Sequence, residues 1–228
     1  MSSRDRASQR RLQWPKVPVT AVLLLLLGLC GSAWAAAPAK IAPLPPPTVL
    51  VFGDSLSAAY GLDAASQGWV ALVEQRMAQA KPGWRLVNAS ISGETSAGGA
   101  ARVVREVARV RPTVVVIALG ANDGLRGLPP RDTRRNLARM IGAAQGVGAK
   151  VLLVGMRLPP NYGSEYTRAF EANYRDLAQL FHTALLPFLL EPIARDRAAF
   201  QADNLHPVAA VQPQLRDHVW RALEPLLK

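Results

Sequence analysis

A serine, a histidine and an aspartate are the residue types of nucleophilic acyl transfer, and this chain offers one arrangement in which they can work together. Ser55 follows an apolar run, Val49-Leu50-Val51-Phe52, and the pair Gly53-Asp54. A serine attacks only when a base takes its proton and a third group orients that base. The chain has three histidines. His182 and His218 fall in amphipathic helical patterns, where a surface or core role is the ordinary one. His206 stands in a loop, three residues after Asp203 and directly before Pro207. The proline biases it away from helical geometry and can open the next helix at its first position. That spacing lets the Asp203 carboxylate reach Nδ1 and leaves Nε2 for Ser55. On spacing alone the alternative stays open, with Asp203 a turn or capping residue and His206 exposed.

Acyl transfer also needs donors aimed at a developing oxyanion. The backbone amides of Ser55 and Gly93 and the side-chain amide of Asn122 suit that task, because glycine lets an amide approach a ligand without a Cβ in the way. Gly and Asn also favour ordinary turns. Asp54 and Asp123 read as carboxylates that brace loops. The residues directly after Asn122 must then border the acyl site. Gly124, Leu125 and Leu128, with Leu158 and Pro159, are therefore the candidates for an apolar acyl groove covered by a mobile loop. Other chemistries find little support. The segment Gly93-Glu-Thr-Ser-Ala-Gly-Gly99 lacks the Gly-Lys-Ser/Thr ending of a phosphate loop, and there is no G-x-S-x-G. No His, Asp or Glu cluster has metal-ligand spacing, so no metal and no cofactor is expected.

These residues are carried by an alternation of strand-like and helix-like stretches. Apolar strand runs are expected at 49–52, 85–91, 113–119, 150–156 and 184–190, the third being the most β-prone and so the central one. Pro187 breaks the last and points to an edge. Helical spacing recurs over 64–81, 95–109, 132–147, 164–181 and 207–227. Five alternations argue an α/β fold, a parallel sheet sandwiched between helix layers. Right-handed crossovers then bring Ser55, Gly93 and Asn122 to one sheet edge, where open α/β sheets bind ligands.

Residues 1–35 have the build of a secretory signal: a basic start with Arg4, Arg6, Arg10, Arg11 and Lys16, a core with five consecutive leucines, and Ala33-Trp34-Ala35 as a small-x-small cleavage site. An uncleaved anchor is the alternative. Residues 36–47 are rich in Ala and Pro and read as an extended tether, leaving 48–228 as the folded domain. Cys30 is the one cysteine, so the domain has no thiol nucleophile and needs no disulfide. The net charge of +11 drops to +7 without the basic start and Asp5. The remaining basic residues are scattered, which does not support nucleic-acid binding. A transient attraction to anionic lipid surfaces remains open. A monomer, periplasmic or secreted, is expected.

Gly53-Asp54-Ser55-Leu56, Gly93, Gly120-Ala121-Asn122-Asp123 and Asp203-x-x-His206 resemble, in order, the four blocks of the SGNH (GDSL) hydrolase family. Asn88-Ala-Ser-Ile-Ser-Gly93-Glu-Thr95, Asn122-Asp-Gly-Leu-Arg-Gly127 and Arg157-Leu-Pro-x-Asn-Tyr-Gly163 are similar to segments of its bacterial periplasmic thioesterase/lysophospholipase/arylesterase branch. The resemblance runs over about 49–227 and departs from the branch pattern at Ala121 and Leu205. It implies a flavodoxin-like, three-layer α/β/α sandwich with a five-stranded parallel sheet. It also implies Ser55 as nucleophile, His206 as base, Asp203 as its orienter, and Ser55, Gly93 and Asn122 as the oxyanion hole. The implied activity is hydrolysis of small acyl esters, thioesters or lysophospholipids through an acyl-enzyme. A carbohydrate acetylesterase and a non-catalytic binding domain are the competing readings. The apolar character of Leu125, Leu128, Leu158 and Pro159 favours an acyl chain over a sugar.

Overall fold

Strand β1, Thr48–Gly53, is buried along its whole length, and its side chains alternate between two cores. Val49 and Val51 face one way, Leu50 and Phe52 the other, as a period of two dictates. The same alternation runs through β3, Val114–Ala118, where Val114 and Val116 join the first core and Val115 and Ile117 the second. Burial on both faces explains why these runs are continuously apolar. The computed structural model describes residues 45–228. The signal segment expected at 1–35 and most of the tether expected at 36–47 lie outside them.

With β2 (Arg85–Asn88), β4 (Lys150–Val154) and β5 (Ala184–Leu186), these strands form one parallel sheet in the order β2-β1-β3-β4-β5. Helices α1 (Trp69–Ala80) and α6 (Gln212–Leu223) cover the first face through Val73, Met77, Leu215 and Val219. Helices α2 (Ser96–Val110), α4 (Pro130–Gly146) and α5 (Ser164–Leu180) cover the second through Val103, Leu137, Met140 and Phe170. This is a three-layer α/β/α sandwich with β3 central and β5 at an edge. Strands are added to one side of β1 and then to the other, so the strand order reverses between β1 and β3, and the carboxyl ends of those two parallel strands flank the crevice. Among the described residues no helix is long and apolar enough to cross a membrane.

Several boundaries differ from the sequence expectations for local reasons. Helix α1 begins at Trp69, because residues 65–67 make a 3-10 turn and Gly68 is extended. Strand β2 stops at Asn88, whose side chain donates to the Ser57 carbonyl and accepts from the Ser90 amide. Pro207 does not open the last helix. It forms an antiparallel bridge with Phe200, and the proline in the first turn of α6 is Pro213. The segment expected as a loop after Asn122 begins as a short helix, α3 (Ala121–Leu125), and Gly124 is buried inside it.

Candidate active site

The chain leaves β1 at Gly53 and folds at once into a tight turn, in which the Ser57 and Ala58 amides donate to the Asp54 carbonyl at 3.1 and 2.9 Å. The Asp54 carboxylate accepts from the Leu56 amide at 3.1 Å, and the indole of Trp69 donates to the Leu56 carbonyl at 3.0 Å. Ser55 therefore projects from a turn held on both sides. Among the described residues its own amide donates to no protein acceptor, and the same holds for the amide of Gly93.

His206 arrives on a narrow loop closed by the Phe200–Pro207 bridge and by the Gln201 amide donating to the His206 carbonyl at 2.8 Å. Asp203 Oδ1 accepts from the Leu205 and His206 amides at 2.9 and 3.0 Å. Its Oδ2 lies 2.6 Å from His206 Nδ1, and His206 Nε2 lies 2.8 Å from Ser55 Oγ. With the ring proton on Nδ1, the imidazole donates to Asp203 and accepts from the serine hydroxyl. Partial burial works against ionising Asp203, but the hydrogen bonds from the His206 amide and ring and from the Leu205 amide outweigh it and lower the pKa to about 2. These bonds hold the carboxylate in its charged form. Gln201 ties the two loops together by donating to the Tyr60 carbonyl at 3.0 Å, while the Tyr60 ring packs on His206 with centroids 4.6 Å apart.

The segment carrying Gly93 is braced from α2 and α3. Asn122 Nδ2 donates to the Glu94 carbonyl at 3.1 Å, and Arg126 donates to the Gly93 carbonyl at 3.0 Å. Arg102 grips the Glu94 carboxylate and the Ala89 carbonyl while lying 3.9 Å over the Phe52 ring. Gly93 has φ 78°, a conformation that favours glycine. Asp123 is buried and fastens the start of α2 to α3 and α4 through the Ser96 amide, the Ser96 hydroxyl and Thr133. Asp54 is also buried, and its Oδ2 has no partner. Burial is the largest influence on it and pushes the carboxyl from 3.8 to about 6, against the opposing pull of the Leu56 amide and the His206 charge.

Ser55, Asn122 and His206 open onto a cavity of about 620 Å³, within the usual range for a small-molecule site. Leu125, Leu158 and Pro159 of the expected groove line it; Gly124 and Leu128 do not. Gly124 is packed so closely that a Cβ there would lie 2.5 Å from the Leu158 side chain, which makes it a spacer behind the wall. Leu128 is exposed. The turn that carries it is held at its backbone, since Tyr162 donates to the Leu125 carbonyl at 3.1 Å and Tyr166 to the Leu128 carbonyl at 2.7 Å. The opposite wall, with Phe188, Leu190 and Phe200, escaped the sequence reading, as did Tyr60, Arg102 and Arg126. Single side chains of common type carry no pattern that would single them out. His182 and His218 stand apart: the first follows Phe181, the C-cap of α5, at φ 51°, and the second lies 3.0 Å from the Phe188 carbonyl. Among the described residues no cluster of His, Cys, Asp or Glu has the makings of a metal site.

Comparison with known proteins places the chain in a family. The family model of the GDSL-like lipase/acylhydrolase family matches residues 51–212. Esterase TesA of Pseudomonas aeruginosa is 53% identical over 79% of this chain and 89% of its own. Thioesterase 1/protease 1/lysophospholipase L1 of Escherichia coli is 41% identical over 79% of this chain and 85% of its own. The psychrotrophic esterase EstA from Pseudoalteromonas sp., solved as inhibited by monoethylphosphonate, superposes with a TM-score of 0.75 at 37% identity, covering 79% of this chain and 98% of its own.

Proposed function

The chain belongs to the GDSL-like lipase/acylhydrolase family, and from that premise we propose that it is an exported serine hydrolase working through Ser55, His206 and Asp203. It is an ester hydrolase, in keeping with relatives named esterase, thioesterase and lysophospholipase, and its substrates are small acyl esters or thioesters. In the proposed reaction His206 Nε2 takes the Ser55 proton as Oγ bonds to the acyl carbon. The carbonyl electrons move onto oxygen, where the Ser55 and Gly93 amides and the Asn122 side chain stabilise them. The tetrahedral intermediate collapses by breaking the bond to the alcohol or thiol, which leaves with the proton from His206. Water, activated by the same imidazole, then releases the acid and restores Ser55.

The observation that carries this reading is the run Ser55 Oγ–His206 Nε2 at 2.8 Å and His206 Nδ1–Asp203 Oδ2 at 2.6 Å, at the mouth of an apolar cavity. The apolar walls favour an acyl chain over a sugar. Export rests on the basic start, leucine core and Ala33-Trp34-Ala35 of residues 1–35, with 36–47 as tether and 48–228 as the hydrolase domain, acting as a monomer in transient contact with membrane surfaces.

Reaction with a fluorophosphonate probe tests the nucleophile. The wild type is expected to take up one label on Ser55 and to lose turnover of both oxygen and thiol esters. Folded Ser55→Ala protein is expected to take up none and to turn over orders of magnitude more slowly. Near-wild-type turnover in Ser55→Ala overturns the assignment.

A further inference from the structure

Seven large apolar side chains stand exposed among the described residues, and their placement is uneven. Tyr60, Ile91, Leu128 and Leu205, between 37 and 53% exposed, all lie on segments at the carboxyl edge of the sheet. Tyr60 packs on the His206 ring, and Leu205 is its neighbour in the chain. The Ile91 amide bonds to the Gly53 carbonyl, and Leu128 follows the helix that carries Asn122. Of the four, Leu205 lines the cavity itself. The other three, Val104, Val147 and Leu180, sit on α2 and at the ends of α4 and α5.

The same edge carries exposed charge of both signs. Arg126, Arg131, Arg157, Arg195 and Arg197 are exposed there, and Arg157 and Arg197 line the cavity itself. Arg157 has Glu171 at 3.7 Å, whereas Arg126 and Arg197 have no carboxylate within ion-pair distance among the described residues. Of the acids on these segments, Asp54 and Asp123 are buried and Glu94 is held by Arg102. Asp203 is a charged carboxylate beside His206, and Asp63, Glu165, Glu191 and Asp196 are exposed.

We infer that this edge docks on a lipid bilayer bearing anionic headgroups, with the four apolar side chains entering the headgroup boundary and the arginines meeting phosphate. Apolar residues interspersed with arginine on one face match that surface in both hydrophobicity and charge. The inference rests on the hydrolase reading for its purpose. An acyl ester leaving such a bilayer passes from hydrocarbon into the apolar cavity with Ser55 at its mouth, and the polar leaving group stays at the interface.

The test uses the protein as recovered from the exported fraction, in the Ser55→Ala background so that binding is read without turnover. Partition onto phosphatidylglycerol vesicles is expected to exceed partition onto phosphatidylcholine vesicles at least tenfold at low salt and to fall as salt rises. Ile91→Ser/Leu128→Ser and Arg126→Glu/Arg197→Glu are each expected to weaken it about tenfold or more, and Val104→Ser/Val147→Ser/Leu180→Ser to leave it unchanged. A tryptophan introduced as Leu128→Trp is expected to shift its emission to the blue on anionic vesicles, and one introduced as Val104→Trp to stay put. Equal binding to both vesicle types, no binding, or binding indifferent to the edge substitutions overturns the docking face. So does a concentration-dependent dimer abolished by Ile91→Ser/Leu128→Ser, which would mean that a second copy covers it. Turnover of dissolved esters by the active protein judges the hydrolase reading separately, so either can fail alone.

Discussion

Asp203 does two jobs with its two oxygens. One accepts the Leu205 and His206 amides and shapes the loop, and the other meets His206 Nδ1. Asp203→Asn puts an amide where the ring needs an acceptor and favours the wrong tautomer. A fall in kcat of about 10³- to 10⁴-fold is expected, the size seen when the same change is made in a Ser-His-Asp protease. A loss under tenfold in steady-state assays would remove Asp203 from the role. Asp54 makes a different prediction. Its folded pKa of about 6 lies above the 3.8 of the unfolded chain, so its share of stability is fully present below pH 4 and lost as pH rises through 6. That share is on the order of 3 kcal/mol. Denaturant titrations of wild type and Asp54→Asn from pH 4 to 7 should show the wild type losing ground by that order, and a pH-independent difference would place Asp54 among ordinary carboxylates.

At the scale of elements, the connection from β2 to α2 carries Gly93, and its Ala89 and Ile91 amides donate to the Val51 and Gly53 carbonyls of β1. Beyond Ile91 side chains take over: Asn122 and Arg126 hold the Glu94 and Gly93 carbonyls, and Arg102 holds the Glu94 carboxylate and the Ala89 carbonyl. The Arg102 and Glu94 side chains are 13 and 6% exposed, so removing one partner leaves a nearly buried charge. Arg102→Met is expected to destabilise the protein by ~3 kcal/mol or more and to lower kcat more than it changes KM, since the Gly93 amide matters most when the oxyanion forms. Arg102→Met/Glu94→Gln is expected to recover much of the stability and little of the rate. If both recover together, the pair serves the fold alone.

Across the whole molecule, the cavity is assembled from segments far apart in the chain: Leu125 at the end of α3, Leu158 after β4, and Phe188 and Phe200 after β5. Each buried methylene contributes about 0.8 kcal/mol, roughly fourfold in specificity. Lengthening an ester from acetyl towards octanoyl should therefore raise kcat/KM while the chain still touches these walls. Leu125→Ser/Leu158→Ser is expected to flatten that profile, measured below micelle-forming concentrations, and Leu128→Ser to leave it intact. An unchanged profile in the double variant would locate the acyl chain elsewhere.

The sheet and the pairing of Asp203 with His206 were legible in the chain because both rest on short-range rules. Apolar runs of strand length, each followed by a helical stripe, dictate parallel crossovers that collect the strand ends. A carboxylate three residues before a loop histidine can close on its Nδ1 locally. Boundaries were less legible where side chains compete with the backbone, as when Asn88 ends β2 and when Phe200 bridges Pro207 ahead of the last helix. The turn after Asn122 read as a free loop because its two glycines imply freedom. Tertiary packing decided otherwise, burying Gly124 against Leu158 and fastening the carbonyls of Leu125 and Leu128 to tyrosines nearly forty residues away. The cavity's far wall and the bracing arginines likewise came only from tertiary structure. A wall is a coincidence of surfaces from distant segments, and no periodicity or spacing within one segment records which other segment it will face.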